Sequence, residues 1–150
     1  MTDDATIPAN KEIGRRVLEE LWSEGRLEAA DELYASTYVD HVPRGPEAEE
    51  TRGPEGIKRA VSLFRSAFPD LHYTVEDQLA ERDCVMTRFS ARGTHRGAFL
   101  GTPPTGRDVR YTGIDVNRIR DGRVVESWVQ YDALSLLQQL EIVPPLPESD

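Results

Sequence analysis

Apolar residues fall at Ile13, Val17, Leu18, Leu21 and Trp22. Steps of three and four put them on one side of an α-helix over residues 11–22, with Asn10 placed to cap its start and Gly25 to stop it. A shorter helix is expected over residues 27–35, where Leu27, Ala30, Leu33 and Tyr34 share a stripe. A brief extended piece follows at residues 38–42. Residues 43–54 then hold three prolines, two glycines and three glutamates, the composition of a surface loop, here one placed to border a pocket mouth. Pro54 suits the first turn of a third helix, whose apolar face is Ile57, Ala60, Val61, Phe64 and Phe68 and whose end is set by Pro69.

Beyond Pro69 the period changes from near four to two. Leu71, Tyr73 and Val75 alternate with His72, Thr74 and Glu76, and Val85, Thr87, Phe89 and Ala91 alternate with Met86, Arg88, Ser90 and Arg92. Two further strands, residues 109–120 and 123–131, are joined by Asp121-Gly122, a pair suited to the positive φ angles of a tight hairpin. Leu134, Leu136, Leu137 and Leu140 mark a last amphipathic segment before Pro144-Pro145. Helices followed by a meander of long strands predict an α+β fold: a cone-shaped, curved antiparallel sheet whose concave face the N-terminal helices cover, leaving one internal pocket. The 150 residues fit one domain, with a core of about residues 11–141, a loose acidic N-terminus and a proline-containing C-terminal tail.

Charge narrows the partners. The formal net charge of -9 opposes binding that depends on neutralising phosphates or anionic headgroups, which disfavours nucleic acid and membrane surfaces. The first ten residues show neither a basic start nor an apolar stretch, so no signal peptide or membrane span is expected. The lone Cys84, beside Val85 and Met86, reads as a buried structural thiol and, with the missing signal, points to the cytoplasm. Three histidines without H-E-x-x-H spacing argue against a metal, and no G-K-[ST] or G-x-G-x-x-G pattern argues for a phosphate cofactor.

The run Gly93-Thr94-His95-Arg96-Gly97-Ala98-Phe99-Leu100-Gly101-Thr102-Pro103-Pro104-Thr105-Gly106-Arg107 resembles a loop signature of the SnoaL-like polyketide cyclases, or ester cyclases. Tyr111-Thr112-Gly113-Ile114-Asp115-Val116-Asn117-Arg118-Ile119, Asp121 to Trp128, and Leu136 to Leu140 resemble the same family's closing hairpin and helix. The resemblance implies the fold of the nuclear transport factor 2-like superfamily, related to the cystatin-like α+β barrel. It also implies a cofactor-independent intramolecular aldol closure run by an acid/base pair in the pocket. Aligned through Asp121-Gly122, the family's usual aspartate falls on Val129, and a pocket histidine of the penultimate strand falls on Asp115.

Alternation places Asp115 on one face with Tyr111, Gly113 and Asn117. A carboxyl in a partly dry cavity can titrate near neutrality, so Asp115 is the candidate acid/base group, with His41 or His95 as its partner. The structural alternatives stand beside these readings: Asp115 as an ion-paired carboxylate, His41 as a loop-pinning residue, and His95 as a stabiliser of its Gly-rich loop. Trp22, Phe64, Phe68, Phe89, Tyr111, Asn117 and Tyr131 are candidates to line a site for a flat hydrophobic oxygenated molecule, although helix-spaced aromatics also build plain core. Trp128 alternates away from Val129, toward the outer sheet face and a homodimer contact. Three functions fit: a polyketide cyclase-like enzyme, a non-catalytic small-molecule binding protein, and a hydrolase or hydratase using Asp-activated water.

Overall fold

The structure is a computed structural model that describes residues 6–41 and 51–148. Helix α1 spans Thr6–Arg16 and runs on into a π-helical stretch, Val17–Ser23. It starts earlier than the apolar pattern predicts. Pro8 falls in the first turn, where backbone N–H groups have no helical partner in any case. Asn10 is therefore inside the helix and buried, not its cap. Gly25, at φ +71, ends the segment as expected.

Helix α2 is only Ala29–Leu33, because Tyr34 already begins strand β1, Tyr34–Asp40. The helical stripe that Tyr34 completes in the sequence is overridden by parallel pairing with β5, in which Tyr34 matches Val124 and Asp40 matches Ser127. Most of the predicted loop after Pro43 lies outside the described residues. Helix α3, Gly53–Ala67, carries Pro54 in its first turn and ends at Phe68. Strands β2 (His72–Glu81), β3 (Cys84–Thr94), β4 (Asp108–Arg120) and β5 (Arg123–Tyr131) follow, then helix α4, Ala133–Gln139. Asp121 and Gly122 turn the last hairpin at φ 51 and 75, the left-handed pair that such a turn requires.

The strand order β1-β5-β4-β3-β2 makes one curved sheet. The predicted all-antiparallel character holds for β2 to β5 and fails at β1, which pairs parallel with β5. The sheet is also open: β1 and β2 are its two edges. Two apolar clusters fill the concave side. One joins Val17, Leu21, Leu33, Ile57 and Val61 to Val85, Ile119 and Val124; the other joins Leu18, Phe68 and Leu71 to Phe89, Val109, Tyr111 and Leu136. Trp22 packs against both. Helix α4 is tied down by Gln139, whose amide brackets the Arg110 backbone, Nε2 donating to its carbonyl at 2.6 Å and Oε1 accepting from its N–H at 2.9 Å.

Cys84 is half-buried on the outer face rather than fully buried, donating weakly from Sγ to Asp83 at 3.5 Å. Desolvation, then the neighbouring Asp83, raises its pKa, so the thiol stays protonated and unreactive. Among the described residues no helix is long and apolar enough to cross a membrane.

Candidate functional site

The two apolar clusters are separated by a polar belt on the same face of the sheet. Along β3, Val85 belongs to the first cluster and Phe89 to the second, and Thr87 lies between them. Along β4, Ile119 and Tyr111 belong to opposite clusters, and Asn117 and Asp115 lie between. Cross-strand pairing assembles the belt: Asp115 faces Thr87 on one side and Val129 on the other, and Asn117 faces Ser127. Residues directly opposite one another share a face. Ser127 in turn matches Asp40 on β1 and is hydrogen-bonded to the Tyr38 hydroxyl.

Asp115 is 5% exposed and Asn117 1%. Burial pushes the Asp115 carboxyl up to about 7, against the opposing influence of Asn117 and Thr87 beside it. Removing a carboxylate from water penalises its charged form, and no cation among the described residues offsets the penalty. Among the described residues, neither Asp115 Oδ1 nor Asn117 Nδ2 has a partner in hydrogen-bond geometry, although the Asn117 amide lies near enough to the carboxyl to favour its charged form. The field of the carboxyl reaches Tyr34 on β1 and Tyr73 on β2, although burial is the first cause of both tyrosines' raised pKa. Asp40 also acts on Tyr34. All five tyrosines of the chain, Tyr34, Tyr38, Tyr73, Tyr111 and Tyr131, belong to or pack against the two interior clusters. Tyr73 and Tyr111 share a hydroxyl–hydroxyl hydrogen bond of 2.7 Å.

The aromatic residues expected to line a site pack on one another within the two apolar clusters. Trp22 meets Phe64 edge-on at 5.7 Å, Tyr73 lies 5.1 Å from Phe89, and Tyr111 lies 5.5 Å from Tyr131. Phe68 is fully buried. Phe99, which the motif contains but alternation cannot orient, inserts from the β3–β4 connection against Phe64 and Phe68 at 5.5 and 5.4 Å.

The two histidines are elsewhere. His41 stacks on Trp128 at 4.9 Å and hydrogen-bonds Glu126 through Nε2 at 2.9 Å. Trp128 pairs with Val116 on the outer face, with the Arg118 guanidinium 5.3 Å from its ring. The expectation that His41 faces the interior beside Asp115 is thus corrected: the residue after Asp40 projects to the opposite side of the sheet. That cluster also accounts for Trp128, which is only partly exposed. His95 is buried among loop groups, its Nδ1 accepting from the Thr105 N–H at 3.2 Å and its ring 5.6 Å from Phe68. It makes no hydrogen bond to Asp115 among the described residues, because it lies eight positions along the chain beyond Thr87, the residue opposite Asp115, past the end of β3. The acid/base pair expected from either histidine is therefore not assembled.

Three open clefts lie on the outer face, the largest about 700 Å³ and bordered by Leu79, Arg82, Cys84, Met86, Val116 and Arg118. None of the three is lined by Asp115 or Asn117.

Sequence reasoning missed Thr87, Ser127, Asp40, Tyr34 and Tyr38. Two had a usable signal: Thr87 is a lone hydroxyl in an apolar alternating row, and Ser127 falls inward once Trp128 is placed outward. The β1 residues had none, since their inward direction depends on the long-range pairing with β5.

An open, curved sheet wrapped on N-terminal helices is the fold of the nuclear transport factor 2-like α+β proteins. A family model described as SnoaL-like polyketide cyclase matches residues 12–140, and the chain belongs to that family. It is 32% identical over 102 residues to the aklanonic acid methyl ester cyclase DnrD of Streptomyces peucetius, covering 66% of this chain and 69% of that one. Among solved structures it resembles IdmH of Streptomyces antibioticus, with 36% identity, a TM-score of 0.76 and coverage of 88% and 98% of the two chains. TsrD of Streptomyces laurentii superimposes with a TM-score of 0.80 at 28% identity, over 95% of this chain and 100% of its own.

Proposed function

We propose that this protein is a cyclase that closes a ring in a hydrophobic, oxygenated polyketide-type molecule by acid/base catalysis at Asp115, without a cofactor. The observation that carries the reading is the buried Asp115 carboxyl, poised near pH 7 between two aromatic clusters. In an intramolecular aldol closure the carboxylate takes a proton from a carbon flanked by carbonyls. The resulting enolate carbon attacks a ketone, its C=O π pair moves to oxygen, and the alkoxide receives the proton from the Asp115 acid. The proton is returned, so the step balances without metal or redox chemistry. A group titrating near the working pH serves in both directions, a contribution of roughly 10² to 10⁴ in rate.

Residues 11–141 act as one domain in this reading, in the cytoplasm, and the outer sheet face is where two copies would pair as a homodimer. Sedimentation at micromolar concentration tests the dimer: a monomer there removes it.

Aklanonic acid methyl ester, the compound named for the relative DnrD, is the first substrate to offer. Conversion by wild type and not by Asp115→Asn supports the cyclase reading. Binding by both proteins with conversion by neither replaces it with a small-molecule binding protein.

A further inference from the structure

The polar belt leaves one acceptor and one donor open side by side. Asp115 Oδ1 and Asn117 Nδ2 are both buried, both without a hydrogen-bond partner among the described residues, and two positions apart on the inner face of β4. Unpaired buried polar atoms are costly, so two on adjacent inward positions mark a place built for a polar atom that comes from outside the chain. We propose that Asp115 Oδ1 and Asn117 Nδ2 together hold a single oxygen of the substrate, the one that is a ketone before ring closure and a hydroxyl after it.

The donor and acceptor counts fit one oxygen at both stages. Asn117 Nδ2–H donates throughout. When Asp115 is the acid, its O–H is a second donor and the pair suits a carbonyl oxygen, which only accepts. When Asp115 is ionised, it accepts, and the pair suits a hydroxyl, which donates to Oδ1 and accepts from Nδ2. Protonation of the new alkoxide by Asp115 converts the first arrangement into the second without moving the oxygen. Asn117 is thereby a residue that touches the reacting oxygen, and the substrate class narrows to molecules in which an enolisable position and an acceptor ketone lie on one apolar skeleton. Ser127 lies opposite Asn117 and is already engaged with Tyr38, and the Thr87 hydroxyl accepts from Gln78 Nε2 at 3.2 Å, so neither uses the open Nδ2.

The inference rests on the catalytic reading of Asp115, and binding measurements separate the two. Naphthalene, 2-acetylnaphthalene and 2-naphthol offer one apolar skeleton with no oxygen, a ketone and a hydroxyl. Groups that face or act on Asp115 are Tyr34 from β1, Tyr73 from β2, Thr87 from β3 and Asn117 on its own strand, and Asp40 of β1 acts in turn on Tyr34. Wild type is expected to bind the ketone better below pH 7 and the naphthol better above it, and both better than naphthalene. Asn117→Leu weakens both oxygenated probes about tenfold, the worth of one hydrogen bond, and leaves naphthalene unchanged. Asn117→Asp, nearly the same shape, keeps the fold and loses the ketone preference. Equal binding of the three probes by wild type, or no binding of any, overturns the proposal, as does unchanged affinity for both oxygenated probes in both Asn117 variants. If Asp115→Asn is inactive on aklanonic acid methyl ester while the Asn117 variants bind as wild type, the oxygen site falls and the acid/base reading stands. If Asp115→Asn turns over normally while the probe preferences persist in wild type, the reverse holds.

Discussion

Asp115 and Val129 are direct partners across the β4–β5 pair, side chains on the same inner face of the sheet. The position at which the family resemblance implies a catalytic aspartate thus holds a valine, and the strand beside it carries a carboxyl. Opposed Cβ atoms in an antiparallel pair lie roughly 4.5–5.5 Å apart, so a carboxyl on either strand reaches the same region of the interior. Asp115→Val should abolish ring closure, and adding Val129→Asp should recover part of it. Steady-state rates on the same substrate decide: a double variant as inactive as the single one means that position, not presence, of the carboxyl is what counts.

The raised Asp115 pKa has a consequence for stability. A carboxyl that holds its proton more tightly when folded stabilises nothing below its unfolded value near 3.8, where both states are protonated. As pH rises from there through about 7, the unfolded chain ionises first and the folded state loses ground. Asp115→Asn should therefore match wild type at pH 4 and exceed it at pH 9, by up to roughly 4 kcal/mol from a shift of about three pH units. Urea denaturation at the two pH values measures the difference. Equal gaps at both would place the carboxyl in water.

His41 belongs to the outer face, so its loss should leave catalysis intact. Removing the stack on Trp128 and a part-exposed hydrogen bond with Glu126 costs about 1 kcal/mol. For His41→Ala we expect a small drop in urea midpoint and turnover within twofold of wild type. A hundredfold fall in turnover would falsify the assignment of His41 to the outer cluster.

Tyr73 and Tyr111 satisfy each other inside the second apolar cluster. Tyr111→Phe leaves the Tyr73 hydroxyl buried with its partner gone, a cost of about 1–3 kcal/mol. The double variant Tyr73→Phe/Tyr111→Phe should lose less than the sum of the single changes, because neither hydroxyl is then stranded. Thermal unfolding of the four proteins checks the cycle.

Gly97 shows why the Gly-rich motif resists side chains. A Cβ there would lie 2.0 Å from the Ser66 carbonyl oxygen at the end of α3, and the backbone is anchored by the Gly97 N–H donating to Ala67 O at 3.1 Å. Gly97→Ala must push the loop off α3 and should destabilise by about 1–3 kcal/mol. A control at Gly101, whose Cβ would meet nothing within 4 Å but whose φ is +78, should lose only the smaller cost of a strained turn.

Local pattern was enough for α3, the β4–β5 hairpin and the alternation of β2, β3 and β4, since each depends on periodicity and turn chemistry written in adjacent residues. It also placed Asp115 and Asn117 on one face with the aromatic strand residues. What the chain's local order could not contain was the direction of β1. Tyr34 fits a helical stripe as well as a strand, and only the parallel partnership with β5, some ninety residues later, turns Tyr38 and Asp40 inward and His41 outward. The same holds for the separation of the two apolar clusters by a polar belt, and for the company Asp115 keeps there. Periodicity assigns a residue to a face; which residues of other strands share that face, and whether a histidine comes near, is decided by register and curvature, which arise only when the sheet closes on its helices.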